Sequence, residues 1–572
     1  MNWWITNASR TNAEKSDLAR LFERADWLAG VNWRFGENLQ LIVDFDVIHN
    51  GETFPLYMVY PSTFPDSPPM VIPHNGAQLS GHQYGNGGEL CLEFRPDNWD
   101  SSITGAMMAD SAYRLLSSER PPGGEQGAVR SAHEASVGRD SRSARLRFLL
   151  DSELLGAFAT LPVNVPVPIK AWDYCNESTC TAALTSVSGD SLTWVSPSPS
   201  PSSSIARDGF VLRTEREIDR FLTDPQLFLQ LVQDEFPEIS AQFSQEFFTG
   251  FLLLGNWHHW VVLYLLPYQG KQSAVVYKTI LAPNPDGRLP ECYAHLSEKR
   301  VGIVGCGSVG SKVAATLARS GVRNFILVDE DLFFGANLAR NDLDARAIGQ
   351  HKTNALAVRI KDIVGDADIT CRRIALGGQE SAGATEIVME ELGQANLLID
   401  ATADPRAFNL VSAVARRKSI PLVWCGVFAG GIGGIVARAR PGNEPVPNIA
   451  RDQIHAWCDA QGVPWETEAE ERYGVQWGDG PPLVADDADV SVISGHASRF
   501  CLDILGREES IFPHSAYAIG LMAGWIFRAP YEACPIELRQ EGEWGECQDE
   551  ASEQQLREFL SSMCPAQERD SG

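Results

Sequence analysis

The sequence predicts a multidomain chain, α+β at its N-terminal end and α/β at its C-terminal end. Three observations predict it. A length of 572 residues with 44% hydrophobic and 21% charged content fits three or so globular domains. Near the start, helical spacing of apolar residues gives way to strand-like alternation and then to a second helical run. From Arg300 to Asp331 an apolar strand, a glycine-rich turn, a helical run and a second strand make one β-α-β unit. The expected domains are 1–150, a middle linker domain over 151–290, a third domain over 291–540 and a tail over 541–572.

In the β-α-β unit the first strand is Val301–Val304. Gly305, Gly307 and Gly310 follow in G-x-G-x-x-G register, then a helix from Ser311 to Ser320, then a strand from Phe325 to Val328 ending at Asp329. Such glycines let backbone N–H groups and a helix N-terminus approach phosphate, and the acid suits a ribose hydroxyl. Downstream stand Asn337 and Arg340 in GANLARND, Lys352 in IGQHKTNA, and Asp400 and Asp404 in LLIDATADPRAFN. That order resembles the ThiF/MoeB and ubiquitin-activating adenylyltransferase family, over roughly residues 300–440. The resemblance implies a Rossmann-like adenylation domain using ATP and Mg2+. In it Asp329 holds the ribose, Asn337, Arg340 and Lys352 hold the triphosphate, and Asp404 binds magnesium. Attack of a carboxylate on an α-phosphoryl group needs such cations, so Arg340 is also counted as catalytic. Asn341 stands where the family often has Gln or His. The chain has no pair of C-x-x-C motifs, so the structural zinc of many relatives is not expected.

At the N-terminal end, Leu18, Leu21, Phe22, Ala25 and Leu28 recur at helical steps and predict a helix over Ala13–Ala29. Leu39 to Val59 alternates like a meander, with a turn at His49-Asn50-Gly51. A proline-rich stretch then leads to Gly88-Glu89-Leu90-Cys91-Leu92, Trp99 and a helix from about Ser102 to Ser118. With Tyr60-Pro61, Pro68-Pro69 and His82 in order, this segment resembles a ubiquitin-conjugating domain. The resemblance implies that Cys91 carries a thioester and that His82 is a site residue. In HQYGN the family's Pro and Asn are not both in register; Gln83 lies nearest that Asn, and Asn86 is close. A thioester cysteine needs an accessible thiolate, which a glycine-flanked turn provides; the alternative is an inert core thiol.

Between these ends, residues 121–140 read as a polar connector and Leu146–Leu155 as helical. The Ser/Pro tract after Trp194 reads as a surface loop, and Glu215–Phe221 as a helix. Phe251–Leu266, interrupted by Gly255-Asn256 and His258-His259, reads as a hairpin rather than a membrane span. After Asp404 come a strand at Leu422–Cys425, a glycine-rich strand pair, a helix over Tyr517–Phe527 and a terminal helix over Gln548–Ser562. A second reactive thiol is sought here. Cys534, in a proline-flanked loop, is preferred over Cys547 and over Cys458; Cys501 sits at a core position.

A net charge of −27 argues against general binding to nucleic acid or anionic membrane. The first residues do not read as a secretory signal. Twelve cysteines without framework spacing, the close pair Cys175 and Cys180 included, point to a reducing cytoplasm and free thiols. Taken whole, the order of domains resembles the fused activating–conjugating proteins of bacterial antiphage operons, notably the CBASS type. That resemblance implies a homodimer that conjugates the C-terminus of a cGAS-like nucleotidyltransferase to a target. Alternatives are a ubiquitin-like protein as the activated partner, or activation of a sulfur carrier.

Overall fold

Met1–Arg142 and Ser143–Gly572 form two compact units. The computed structural model describes residues 2–563 apart from 78, 81–82, 85–87, 121–137, 139–140, 142–143, 197, 202, 217, 219–224, 246, 257–258, 283–287, 463–473, 476–482 and 547–551.

In the first unit the helix Ala8–Arg24 is capped by Asn7, whose side chain accepts from the Arg10 N–H, and it buries Leu18 and Leu21. It starts and stops earlier than Ala13–Ala29 because Leu28 already pairs with Val47 as the first residue of β1 (Leu28–Phe35). Strands β1, β2 (Leu41–His49), β3 (Glu52–Val59) and β4 (Met70–Pro73) form an antiparallel meander in chain order. Asn50 and Gly51, both at positive φ, close the β2–β3 hairpin. A short ladder of β5 (Gln83–Tyr84) and β6 (Glu89–Leu90) follows, then the helix Gly105–Glu119, which packs Met108, Ala112 and Leu116 into the core. One buried carboxylate ties these parts together. Glu14 accepts from the Tyr60 hydroxyl at 2.8 Å and from the Gly105 N–H at 2.7 Å, with the Arg10 guanidinium 3.0 Å away. Burial pushes the Glu14 carboxyl above its usual range even though these partners pull the other way.

The second unit begins with β7 (Leu146–Asp151), where the sequence predicts a helix. Its alternating residues are claimed by parallel pairing on both sides, and the helix starts only at Ser152, capped by Asp151. This strand belongs to the second compact unit. The remaining strands are β8 (Val167–Cys175), β9 (Cys180–Ser188), β10 (Thr193–Val195), β11 (Ile205–Arg213), β12 (Gly250–Gly255), β13 (Trp260–Tyr268) and β14 (Lys271–Ala282). Their order is β10-β9-β7-β14-β13-β12-β11-β8, and β8 pairs again with β9, so the sheet closes into a barrel. Phe148, Leu253 and Val262 belong to one core cluster of this barrel. Leu252, Leu254 and Leu263 belong to another, shared with Phe228 and Val232 of helix Pro225–Glu235, Phe236 of the link and Ile239 of helix Pro237–Gln245. Burial on both faces explains the unbroken apolar run that the sequence reads as a hairpin. The helix expected at Glu215–Phe221 lies largely outside the described residues, as does His258. Cys175 and Cys180 are not free thiols: they form a disulfide. The two are cross-strand partners at the end of the β8–β9 hairpin, so register alone brings the sulfurs together.

The C-terminal sheet runs β17-β16-β15-β18-β19-β20-β23-β24. Its parallel strands are β15 (Arg300–Val304), β16 (Asn324–Val328), β17 (Asp368–Arg372), β18 (Leu397–Asp400) and β19 (Leu422–Val427). β20 (Gly433–Ala439), β23 (Ala516–Gly520) and β24 (Ala533–Ile536) continue it antiparallel, while β21 (Gly474–Val475) and β22 (Leu483–Val484) pair separately. The helices Ser308–Arg319, Lys352–Val364 and Asp487–Gly506 build one core with this sheet. Ala382–Leu392, Pro405–Lys418 and Pro447–Ala460 build the other. The expected helix over Tyr517–Phe527 is β23 followed by bends, because β20 and β24 claim both of its edges. Cys534 accordingly sits on edge strand β24, not in a loop. The terminal helix is Ser552–Met563. Across this core Arg438, fully buried, meets Asp503 at 2.6 Å.

Candidate functional site

The order of the parallel strands reverses at β15: β16 lies on one side and β18 on the other. At such a switch point the loops leaving neighbouring strands diverge and open a crevice. Gly305 leaves β15 at φ +90, and a Cβ there would stand 2.8 Å from the Ala401 carbonyl. A Cβ on Gly310 would stand 1.8 Å from the Gly305 carbonyl oxygen. These two glycines let helix Ser308–Arg319 start hard against the strand end. Gly307, the N-cap of that helix, faces open space instead.

Asp329 is the hub. One carboxylate oxygen accepts from the Cys306 N–H at 2.7 Å, the other from the Asp331 N–H at 2.8 Å. Burial raises its pKa, and the nearby Lys352 ammonium works against that rise. Lys352, only 8% exposed, places its Nζ 2.6 Å from Asp331. The loop between them is tied in as well. Asn341 donates to the Cys306 carbonyl at 3.4 Å, and Asp342 N–H donates to Ser311 at 3.2 Å. Asn337 is turned inward to cap its own turn, accepting from the Phe334 N–H at 2.8 Å. Arg340 donates to the Ala485 carbonyl at 3.0 Å, which brings in the segment before helix Asp487–Gly506.

On the β18 side, Asp400 is buried and burial raises its carboxyl to about 6, against the bonds it accepts from Thr402. Asp404 caps helix Pro405–Lys418 and pairs with Arg406 at 2.8 Å. Hydrogen bonding from Arg406 holds it below the usual carboxylate range. The glycines, Asp329, Asn337, Arg340, Lys352 and Asp404 thus gather around the ends of three adjacent strands. Sequence reasoning missed three connections there: Asp331 as partner of Lys352, Ala485 as partner of Arg340, and Lys312 paired with Asp487 at 2.7 Å. Lys312 does carry a local signal, standing two residues after the third glycine; the other two depend on contacts that spacing does not reveal.

The thiols are dispersed. Cys91 follows β6 between buried Leu90 and Leu92 and is half-buried. Its turn is held by Gln83, whose carbonyl accepts from Leu79 at 2.6 Å and Ser80 at 2.8 Å, and whose amide donates to Ala77 at 3.0 Å and Gly88 at 2.8 Å. Gln83 is therefore spent on shaping the loop. His82 and Asn86 lie outside the described residues, as does Cys547. Cys458 is fully buried and burial raises its thiol to about 11. Cys501 is core, as its position predicts. Cys534 is half-buried; burial first and Glu532 second raise its thiol. With five strand spacings between β15 and β24, Cys534 lies about 24 Å across the sheet from the glycine turn.

Residues 285–526 match the ThiF family. The chain is 32% identical over 131 residues to the ATP-dependent ubiquitin transferase-like protein Cap2 of Escherichia coli, covering 22% of this chain and 21% of that one. It is 27% identical over 180 residues to the sulfur carrier protein ThiS adenylyltransferase of Bacillus subtilis, covering 30% and 51%. The aligned stretch spans about a fifth of the length of the Cap2 protein. A crystal structure of E. coli MccB with succinimide aligns at a TM-score of 0.32 and 16% identity, over 43% of this chain and 66% of that chain. Among the described residues, no helix is long and apolar enough to cross a membrane.

Proposed function

We propose, from the ThiF family domain at residues 285–526, that the chain uses ATP to activate the C-terminal carboxylate of a protein and relays the acyl group through thioesters to an amine. The observation that supports it most is the gathering of Gly305, Gly310, Asp329, Lys352 and Asp404 at one switch point. The residues fit a nucleotide: the glycine turn leaves space that a side chain would fill, beside a helix N-terminus and an acidic hub.

Asp329 would hold the ribose, and Asn337, Arg340 and Lys352 the phosphates. Asp404 would hold magnesium, which when bound would neutralise charge on the pyrophosphate. The substrate carboxylate attacks the α-phosphorus, the bond to pyrophosphate breaks, and an acyl-adenylate forms. A thiolate of the activating domain, Cys534 in this reading, attacks the acyl carbon and expels AMP. Cys91 takes the acyl group by thioester exchange and passes it to an amine, which loses a proton as the amide forms. Residues 1–150 would be the conjugating domain, 151–290 the linker, 291–540 the adenylation domain and 541–572 the tail. The activated protein would be a cGAS-like nucleotidyltransferase or a ubiquitin-like protein, and the working unit a homodimer in the cytoplasm.

The placement of Cys534 favours a second reading of one step. Its distance from the glycine turn and its raised thiol suit direct transfer from adenylate to Cys91. ATP–pyrophosphate exchange tests the proposal. Exchange should require a candidate partner with a free C-terminal carboxylate and vanish when that terminus is amidated. Exchange with a sulfur carrier alone would support the sulfur-carrier alternative, and none with any partner would contradict ATP-dependent activation.

A further inference from the structure

Two lysines near the switch point are built alike. Lys352, the first residue of its helix, has a side chain only 11% exposed and holds Asp331, 57% exposed, at 2.6 Å. Lys312, in the helix that leaves the glycine turn, has a side chain 13% exposed and holds Asp487, 54% exposed, at 2.7 Å. Lys418, also ion-paired, is 52% exposed and closes helix Pro405–Lys418 at the end away from Asp404. Sheltering an ammonium is costly unless an anion stays beside it, whereas an exposed carboxylate is solvated by water and gives up its partner easily. In both sheltered pairs the cation is the fixed member and the carboxylate the replaceable one.

Lys312 belongs to the same ring of contacts as Arg340. Its neighbour Ser311 accepts from the Asp342 N–H at 3.2 Å, and Arg340 donates to the Ala485 carbonyl at 3.0 Å. Asp487 lies two residues beyond Ala485, a span of at most about 7 Å. Helices Ser308–Arg319 and Asp487–Gly506 share one core through Val313, Leu317, Ile493 and Ala497, so both members of the pair stand on anchored elements. The Arg340 loop, the glycine-turn helix and the start of helix Asp487–Gly506 therefore meet in one place, and Lys312 is the ammonium held there.

We propose that Lys312 binds a phosphate of the nucleotide, and that Asp487 stands in for that phosphate in the nucleotide-free protein. The assignment rests on the nucleotide reading of the crevice. It adds a cation from a different element to Asn337, Arg340 and Lys352. Binding exchanges one anion for another: a phosphate oxygen accepts from the Lys312 ammonium, and the Asp487 carboxylate passes to water. A structural ion pair makes loss of either member harmful or neutral to binding. A stand-in gives the two losses opposite signs.

Calorimetric titration of the full chain with ATP and magnesium, and with adenosine as a ligand lacking phosphate, separates these cases. Lys312→Met keeps the apolar stem and removes the charge; it should weaken ATP by about tenfold or more and leave adenosine unchanged. Asp487→Asn should tighten ATP by about two- to fivefold. That gain should vanish when Asp487→Asn is combined with Lys312→Met, because the carboxylate acts through the lysine. With a parent chain that binds ATP, four results would overturn the proposal: ATP affinity unmoved by Lys312→Met, an equal loss for adenosine, weaker ATP binding by Asp487→Asn, or a gain that persists without the lysine. A parent chain that binds no ATP would remove the nucleotide reading and this assignment with it.

Discussion

Gly310→Ala probes the architecture of the proposed nucleotide site with a single methyl group. In the native turn that methyl would stand 1.8 Å from the Gly305 carbonyl oxygen. Carbon and carbonyl oxygen ordinarily approach to about 3.3 Å, so the start of helix Ser308–Arg319 must retreat by about 1.5 Å. The obstruction is backbone, which cannot swing aside as a side chain would. Overpacking of this kind costs about 1–3 kcal/mol, and a 1 Å displacement of positioning groups costs about 100-fold in rate. Gly307→Ala is the matched control: no atom lies within 4 Å of its added methyl. Urea unfolding and ATP–pyrophosphate exchange, run side by side, should show Gly310→Ala losing stability and at least 100-fold in exchange. Gly307→Ala should keep its unfolding free energy within about 0.5 kcal/mol. A Gly310→Ala protein with native stability and exchange would refute the idea that this close approach builds the site.

Three other outcomes follow from the geometry. Because burial raises Asp400 to about 6, the stability it contributes is fully present below pH about 4 and is lost as pH rises through 6. Asp400→Asn, which keeps an acceptor for Thr402, should therefore stabilise the nucleotide-free protein at pH 8 by up to about 3 kcal/mol and have much less effect at pH 4; equal unfolding at pH 8 would contradict this. Arg438→Met should cost about 3–5 kcal/mol in urea unfolding, since it strands Asp503 in the core, while the double variant with Asp503→Leu should recover most of the loss. Lys352→Ala should lower exchange by about 100- to 1,000-fold with little change in unfolding midpoint, whereas Asp331→Asn, changing the exposed partner, should cost much less.

The glycine turn at the switch point was legible because its pattern is written locally: glycines at fixed offsets, an acid at a strand end, cations in the next loops. The β2–β3 hairpin was legible for the same reason, since Asn50-Gly51 demands positive φ. The barrel was not. It closes through β8 pairing with β9 and through parallel contacts of β7 with β9 and β14, and pairing between distant strands leaves no periodic trace. Leu146–Asp151 and Tyr517–Gly520 were misread because short apolar runs fit a buried helix or a buried strand equally well. Cys534 followed the second error: once Tyr517 begins a strand pair, that cysteine becomes an edge-strand residue. The disulfide escaped because register, not spacing, opposes Cys175 to Cys180.

Thioester trapping tests the relay itself. The full chain is incubated with ATP, magnesium and a partner bearing a free C-terminus, quenched without reductant, and the acylated cysteine is mapped by mass spectrometry. Thiol-labile acyl groups should appear on Cys91 in the parent chain and stop short of the amine product in Cys91→Ala. Amide product formed at the parental rate by Cys91→Ala would contradict the relay.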